Sequence, residues 1–569
     1  MTSLAEVREQ LTGAGGAFEV VADVVNGVEM KVYKDRMGSL REIAQAASLR
    51  GDQEFIVQGD RLLTYGEFVR GANGVSQALA DAGVGHGDRV AVLSANNAEW
   101  CMTFWATVDL GAILVGLNGW WKTDEVLYGL DDSGAKVLVA DAKRFERIAD
   151  QLDQCPGVEH IYLIDGDASA YGDPRIQPFS VLTTEPTDEF PDTAIDEDDP
   201  AVIFYTSGTT GRPKGAISTH RNMVANLQNT LFNTIATAMS DPDSASSMGG
   251  GGQTVGLLTS PLFHVSGCHS SLVVGMIAGV KLVIPEGRFD PDSALQLIQD
   301  HGVTIWATVP TMVWRVCEHP ARHDYDTSTV TAVAFGGSPS ADELQRKVRD
   351  TFPNVKSTSN AYGLTESSSV ATVISGRDAR ERPESVGPPV PVVDLAVVDG
   401  EGNEVPNGQT GEVLIRGPII MPGYWNKPEA TAETVIDGWL HTGDIGYVDD
   451  DGYLYITDRA KDMIIRGGEN IYCVEIEQRL VEHPDVADAA VIGVPHDELG
   501  EEVKAVVQLN PDGSLTETDI QEWVAETLAN FKVPAYVELT GDKLPRNASG
   551  KLLKNVLRGE GEVSFSETM

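Results

Sequence analysis

The sequence predicts an α/β protein in which a large N-terminal domain, built from two related α/β sheet subdomains plus a small β-rich subdomain, precedes a small α+β C-terminal domain. Three observations lead there. Short runs of Val, Ile and Leu alternate with longer mixed stretches between residues 89 and 337. Near Ser385 the texture changes to short strands punctuated by Gly and Pro. After Asp458-Arg459 comes a compact tail with one helix-like and two strand-like segments.

Each element has its own reason. RVAVLS at 89–94, KVLVAD at 136–141 and AVIFYT at 201–206 are continuous apolar runs, as parallel strands buried on both faces require, and the stretches between them suit crossover helices. The alternation repeats in TVGLLTS from Thr254, KLVIP from Lys281, VTIWATV from Val303 and TAVAFGG from Thr331, so a second, related sheet is expected. The acidic, Pro-containing segment 183–200 reads as a solvated connector before the strand at Ala201. VGPPVPVVDLAVVD and GEVLIRGP open the β-rich unit, which ends near GYLYITDR. In the tail VEIEQRLVEH is helix-like, while AAVIGVP and EVKAVVQLN read as strands. A boundary at 459–461 gives an N-terminal domain 1–460 and a C-terminal domain 461–569.

Composition sets the outer limits. With 569 residues the chain has room for roughly three to five folding units and a sizeable core. Lys plus Arg number 42 against 85 Asp plus Glu, a formal net charge of -43, and no basic stripe is visible. That argues against nucleic acid as a partner and against a polybasic membrane anchor. The five cysteines form no CxxC pair, so neither a zinc ribbon nor a disulfide framework is suggested, and they read as thiols of a reducing cytoplasm. The first residues lack a signal-like apolar core, and no run approaches the about 18 apolar residues of a membrane span, so a cytoplasmic chain without an integral membrane segment is expected.

The strongest chemical signal is the run YTSGTTGRPKG at 205–215, directly after an apolar strand and before a helix-compatible stretch from His220. Gly208 and Gly211 free the backbone to bend, so that its N–H groups and the hydroxyls of Thr206, Ser207, Thr209 and Thr210 can surround phosphate oxygens, with Lys214 adding positive charge. A Walker A loop is excluded, because Pro213 precedes Lys214 and Gly215 stands where that motif needs a Mg²⁺-binding Ser or Thr. A second run, NAYGLTE at 360–366, offers a ring, a hydroxyl and a carboxylate to a nucleotide in Tyr362, Thr365 and Glu366.

The loop at 205–215 resembles the phosphate-binding signature of the adenylate-forming superfamily, whose members include acyl- and aryl-CoA synthetases, luciferase and peptide-synthetase adenylation domains. Further blocks follow in that family's order, from LTYGE at 63–67 to PRNASGK at 545–551, so the resemblance covers nearly the whole chain. It implies the fold above with a mobile C-terminal domain, and the cofactors ATP, Mg²⁺ and CoA. It implies that Asn360, Ala361, Tyr362 and Gly363, with Gly336, Gly337 and Ser338, surround adenine; that Thr365 meets the α-phosphate; and that Glu366 and Thr206 hold Mg²⁺. Asp444, in His441-Thr-Gly-Asp, and Arg459 match the ribose contacts. Lys461 matches the hinge, and Lys551 the catalytic lysine between substrate carboxylate and α-phosphate. The segment Arg466-Gly467-Gly468-Glu469 is similar to the part that meets the incoming thiol. The chain departs from luciferase-like relatives at Ile465, where they carry lysine.

The reaction so implied joins a carboxylic acid to a thiol through an acyl adenylate. In amino-acid-activating relatives an Asp follows the aromatic residue of the PLFHVSG segment at 261–267; His264 stands there instead, so an acid without an α-amino group is expected. By resemblance the acyl pocket is lined by His264, Ser266, Trp306, Gly337, Gly363 and Val370, small or apolar residues that suit a hydrophobic fatty, aryl or alicyclic acid. His264 is also counted among the catalytic residues, with Thr206, Glu366 and Lys551. The expected partners are small molecules: the acid, ATP and CoA. A homodimer is the one macromolecular assembly considered. The alternatives are a ligase delivering its acyl group to a carrier-protein phosphopantetheine and, in another class, a non-catalytic nucleotide-binding protein.

Overall fold

The computed structural model describes residues 3–206, 212–245, 252–336, 342–467, 469–496, 498–510, 513–546 and 551–559. The chain divides into two compact units, one from 1–340, 344–395 and 415–440, the other from 341–343, 396–414 and 441–569.

The first unit contains both expected sheets. The seven-stranded sheet runs, edge to edge, through Lys214–Thr219, Pro200–Thr206, Ile113–Gly116, Arg89–Leu93, Val137–Ala140, His160–Leu163 and Ile176–Pro178. All its neighbours pair in parallel except the first two. Ile113–Gly116 and Val137–Ala140 are buried at every position, which explains their unbroken apolar character. The eight-stranded sheet runs through Thr372–Ser375, Ser357–Tyr362, Ala332–Gly336, Ile305–Thr308, Val255–Leu257, Lys281–Val283, Glu54–Gln58 and Arg61–Thr64. Its last two strands come from far up the chain. The LTYGE block sits at their exit as a helix start: Thr64 Oγ1 accepts the Glu67 N–H at 3.2 Å, Glu67 Oε2 accepts the Thr64 N–H at 3.0 Å, and Tyr65 OH donates to Gly275 O at 2.9 Å.

One apolar cluster joins the two sheets through the helices Tyr65–Asp81, Ala98–Asp109 and His220–Ser240, with Phe68, Trp100, Phe104 and Trp105 fully buried at its centre. The helix beginning at His220 is where the sequence puts one. The sequence around 205–220 differs from expectation in its setting: the strand Lys214–Thr219 intervenes before the helix and pairs antiparallel with Pro200–Thr206. Gly215 permits that pairing, since a Cβ there would meet Ile203 Cγ2 at 2.7 Å.

The connector 183–200 is also less solvated than its composition suggests. Glu197 pairs with Arg36 at 2.8 Å and Arg221 at 2.7 Å, Asp198 with Arg221 at 2.6 Å, and Asp199 with His86 at 2.8 Å. Arg221 is only 6% exposed, so the acidic residues neutralise a cation that the core cannot leave unpaired.

The second unit holds the body of a small sheet in which Gly411–Arg416, Trp439–Val448 and Leu454–Arg459 run side by side, the expected β-rich region. Beyond it lies a five-stranded sheet with Ile464–Arg466, Glu469–Ile471, Val486–His496, Gly500–Leu509 and Tyr536–Thr540, and the helices Cys473–Val481 and Glu517–Ala525. Ile464, Ile476, Leu480, Val491, Val503, Ile520 and Val524 form its core. This is the α+β tail read from the sequence.

All five cysteines are buried free thiols, and burial raises the pKa of each. Among the described residues no helix is long and apolar enough to cross a membrane.

Candidate functional site

The expected site residues fall in both units. In the first, Thr206 is the last residue of its strand, opposite Lys214, and its hydroxyl donates to Lys214 O at 3.4 Å. The Lys214 ammonium stands 4.2 Å from the centre of the Tyr424 ring, and Tyr424 OH donates to Glu366 Oε1 at 2.8 Å. Burial, and next the Glu366 carboxylate, push the Tyr424 phenol up, so it remains a donor. A cation and a carboxylate expected on either side of a triphosphate are thereby joined through one aromatic ring. Sequence reasoning missed Tyr424. Its signal was the punctuated turn Pro422-Gly423-Tyr424-Trp425, held by the Trp425 N–H on Gly215 O at 2.7 Å.

Asn360, Ala361 and Tyr362 end the strand Ser357–Tyr362, with Gly336 paired to Ala361 and Tyr362 to Thr372. Tyr362 is half-buried, whereas Asn360 is 4% exposed and donates through Nδ2 to Ser385 O at 3.3 Å. Gly363 is required by contact: a Cβ there would lie 1.5 Å from Ser369 O. Thr365 and Glu366 follow in a single 3-10 turn, Thr365–Ser367, and Glu366 O accepts the Met421 N–H at 2.9 Å.

Of the acyl-pocket residues, His264, Ser266 and Val370 are half-buried. His264 tilts against Phe263, ring centres 4.9 Å apart, and burial lowers its pKa to about 4, so the imidazole is neutral at pH 7. Trp306 is fully buried: its indole N–H donates to Thr259 Oγ1 at 3.0 Å and its ring lies between Phe289 and Phe352. It presents no open face. Ser207, Gly208, Thr209, Thr210, Gly211, Gly337, Ser338 and Gly468 lie outside the described residues.

In the second unit Asp444 is 3% exposed, directly opposite Arg459 on the neighbouring strand, and Arg459 Nε pairs with its Oδ1 at 2.6 Å. Lys551 joins them. The residue is exposed; desolvation, followed by the charge of Arg459, lowers its pKa to about 8, and Asp444 opposes the shift. Lys461 is lowered by desolvation and Arg459 as well. Asp444, Arg459, Lys461 and Lys551 thus form one electrostatic group. The tail after Lys551 is tied down by Lys554 on Glu477 at 2.8 Å and Arg558 on Asp462 at 3.0 Å. Arg466 is paired with Glu502 at 2.6 Å and stands opposite Glu469 across a tight turn, where Gly467 takes a left-handed φ of 59°.

These groups suit MgATP. In the first unit Glu366 and Thr206 offer hard oxygen donors of the kind Mg²⁺ takes alongside phosphate oxygens and Lys214 offers a cation, while in the second Lys551 offers another.

The chain matches the AMP-binding enzyme family over residues 43–425 and the AMP-binding enzyme C-terminal domain over residues 475–551. It is 36% identical over 501 residues to a feruloyl-CoA synthase from Amycolatopsis sp, covering 88% of this chain and 94% of that one. It is 34% identical over 502 residues to a long-chain-fatty-acid–CoA ligase from Mycobacterium tuberculosis, covering 88% and 93%. Among solved structures, the o-succinylbenzoate CoA synthetase from Bacillus subtilis in complex with its acyl-adenylate intermediate superposes with a TM-score of 0.74 at 29% identity, covering 92% of this chain and 98% of that one. The chain therefore belongs to the AMP-binding enzyme family, the adenylate-forming superfamily, and is an ATP-dependent, AMP-forming acid–thiol ligase of the acyl-CoA synthetase kind that uses ATP, Mg²⁺ and CoA.

Proposed function

We propose that this enzyme activates a hydrophobic carboxylic acid without an α-amino group, fatty, aryl or alicyclic, and passes it to CoA, using the residues named above. In the first half-reaction the substrate carboxylate attacks the α-phosphorus of ATP; the new O–P bond forms as the bond to pyrophosphate breaks. Lys551 places its charge between the two anions that approach one another, where positive charge stabilises the transition state more than the ground state. Thr365 donates to the α-phosphate. Lys214 and the loop 206–211 hold the outer phosphates, and Glu366 with Thr206 would hold Mg²⁺, which neutralises phosphate charge. Asp444, beside Arg459, accepts the ribose hydroxyls, since an ionised carboxylate takes several hydrogen bonds. Tyr362 offers a face to adenine, beside Gly336, Gly337, Ser338, Asn360 and Ala361.

In the second half-reaction residues 461–569 turn about Lys461 as a mobile domain, withdrawing Lys551 and bringing Arg466, Gly467, Gly468 and Glu469 to the pantetheine arm. The thiol attacks the acyl carbon and AMP leaves. His264, Ser266, Gly363 and Val370 line the acyl group. Trp306, buried behind its Thr259 contact, acts as a wall that supports the pocket.

One observation carries this reading: Lys551 lies with Asp444 and Arg459 in one charged group, with its pKa lowered to about 8. The neutral His264 supports the choice of acid, because it supplies neither an anion for a substrate ammonium nor a second cation. The relatives named for ferulate and long-chain fatty acids favour the same class. We place the enzyme in the cytoplasm as a homodimer; light scattering on the purified chain tests the latter. The decisive experiment is AMP release from MgATP with a panel of fatty, aryl and alicyclic acids, each with and without CoA. AMP formed with one acid class only when CoA is present is the expected result. Pyrophosphate exchange that CoA leaves unstimulated would move the acceptor to a carrier protein, and bound ATP with no turnover across the panel would refute the reading.

A further inference from the structure

The turn after Glu366 is strained. Ser368 has φ 51° and Ser369 φ 111°, in the left-handed half of backbone space that residues with a Cβ avoid. Four groups hold it there. Ser218 Oγ lies 3.0 Å from Ser368 Oγ, and His269 Nδ1 lies 3.2 Å from Ser368 O. Ser270 Oγ lies 2.6 Å from Ser369 Oγ, and Ser367 Oγ donates to Ser369 O at 3.1 Å. A carbonyl only accepts, so His269 carries its proton on Nδ1, and its buried Nε2 has no partner among the described residues.

Burying an imidazole with one idle nitrogen costs free energy that a mere space-filler would avoid. The segment that supplies it, Cys268–Val273, is a π-helix, a rare form frequently found at functional sites. It begins four residues after His264, and its His269 ring stacks on Phe204, 5.4 Å between centres, in the strand that ends at Thr206. One segment therefore links the acid-binding sequence, the strand before the phosphate loop and the turn that bears Glu366.

We propose that His269 and Ser270 are positioning residues for Glu366: their side chains hold the turn Ser368-Ser369 in a conformation serine does not keep unaided, and so aim the Glu366 carboxylate at the metal of MgATP. This rests on the assignment of Glu366 as a Mg²⁺ ligand. Glycine adopts φ 111° without a tether, which gives the idea a rescue.

The test is calorimetric binding of α,β-methylene-ATP by the intact enzyme across a Mg²⁺ titration. In Ser270→Ala and His269→Phe the Mg²⁺ concentration for half-maximal binding rises about tenfold, the effect of one lost hydrogen bond. Binding in the presence of chelator stays within about twofold of wild type, which a general loss of packing would not spare. Adding Ser369→Gly to Ser270→Ala returns the Mg²⁺ response toward wild type. Glu366→Gln is the reference. If it weakens the response while Ser270→Ala and His269→Phe leave it at wild type, the positioning proposal falls and the metal role of Glu366 stands. If Glu366→Gln changes nothing, the metal role fails and takes the proposal with it. Equal losses with and without Mg²⁺, or no recovery on adding Ser369→Gly, also overturn it.

Discussion

The two groups of candidate residues, one in each unit, are built on different physical principles. Around Glu366 the Lys214 cation reaches the carboxylate through the Tyr424 ring, and geometry is set by a strained turn, hydroxyl contacts and Gly363 pressed against Ser369 O. Around Asp444 stand the cations Arg459, Lys461 and Lys551, and what they share is charge. The first group should therefore respond to changes in shape and be indifferent to pH near neutrality. The second should respond to charge and to pH.

The largest expected effect comes from the second group. Lys551→Ala should slow acyl-AMP formation by about 10² to 10³-fold, the usual cost of removing one group that stabilises developing charge. Transfer from preformed acyl-AMP to CoA should change by less than about tenfold, since the proposed rotation withdraws Lys551 for that step. Equal losses in both half-reactions would erase the division of labour. Next comes pH. A lysine lowered to about 8 is charged below that value and loses its charge above it, so kcat/KM for adenylation should fall as pH rises through about 8, and Lys551→Arg should move the fall upward. Persistence of the same inflection in Lys551→Arg would assign it to another group.

Smaller effects belong to the first group. Tyr424→Phe deletes the hydrogen bond to Glu366 while keeping the ring under Lys214, and should raise KM for MgATP by about tenfold or less. A larger change in CoA affinity than in MgATP affinity would show that the ring serves the other half-reaction. The smallest effect expected is none at all: with His264 lowered to about 4, kcat/KM should be flat between about pH 5.5 and 7.5 as far as this residue is concerned. An inflection there that vanishes in His264→Asn would overturn its neutral assignment.

How far the sequence could be read depended on the range of the interaction. The strands at 89–93, 137–140 and 200–206 were legible because burial on both faces writes a continuous apolar run into adjacent residues. The loop, Glu366, Asp444 and Lys551 could be singled out as candidates because each sits in a short block whose residue types carry their chemistry. Tyr424 was not, for its partners lie far away in sequence at Lys214 and Glu366. The connector's acids at 197–199 looked solvated because their counter-ions, Arg36, His86 and Arg221, are supplied by other elements. Trp306 was expected by position to line the acyl group, and only packing shows that Phe289, Phe352 and Thr259 enclose it.

The five cysteines take on meaning beside the reaction. An acyl adenylate is a mixed anhydride that acylates any thiolate within reach, and the intended acceptor is itself a thiol. Every thiol of the protein is buried, with its pKa raised by that burial, and Cys473 spends its proton on Asp462 O at 3.0 Å. Burial thus keeps the protein's own thiols out of competition with CoA for the activated acid.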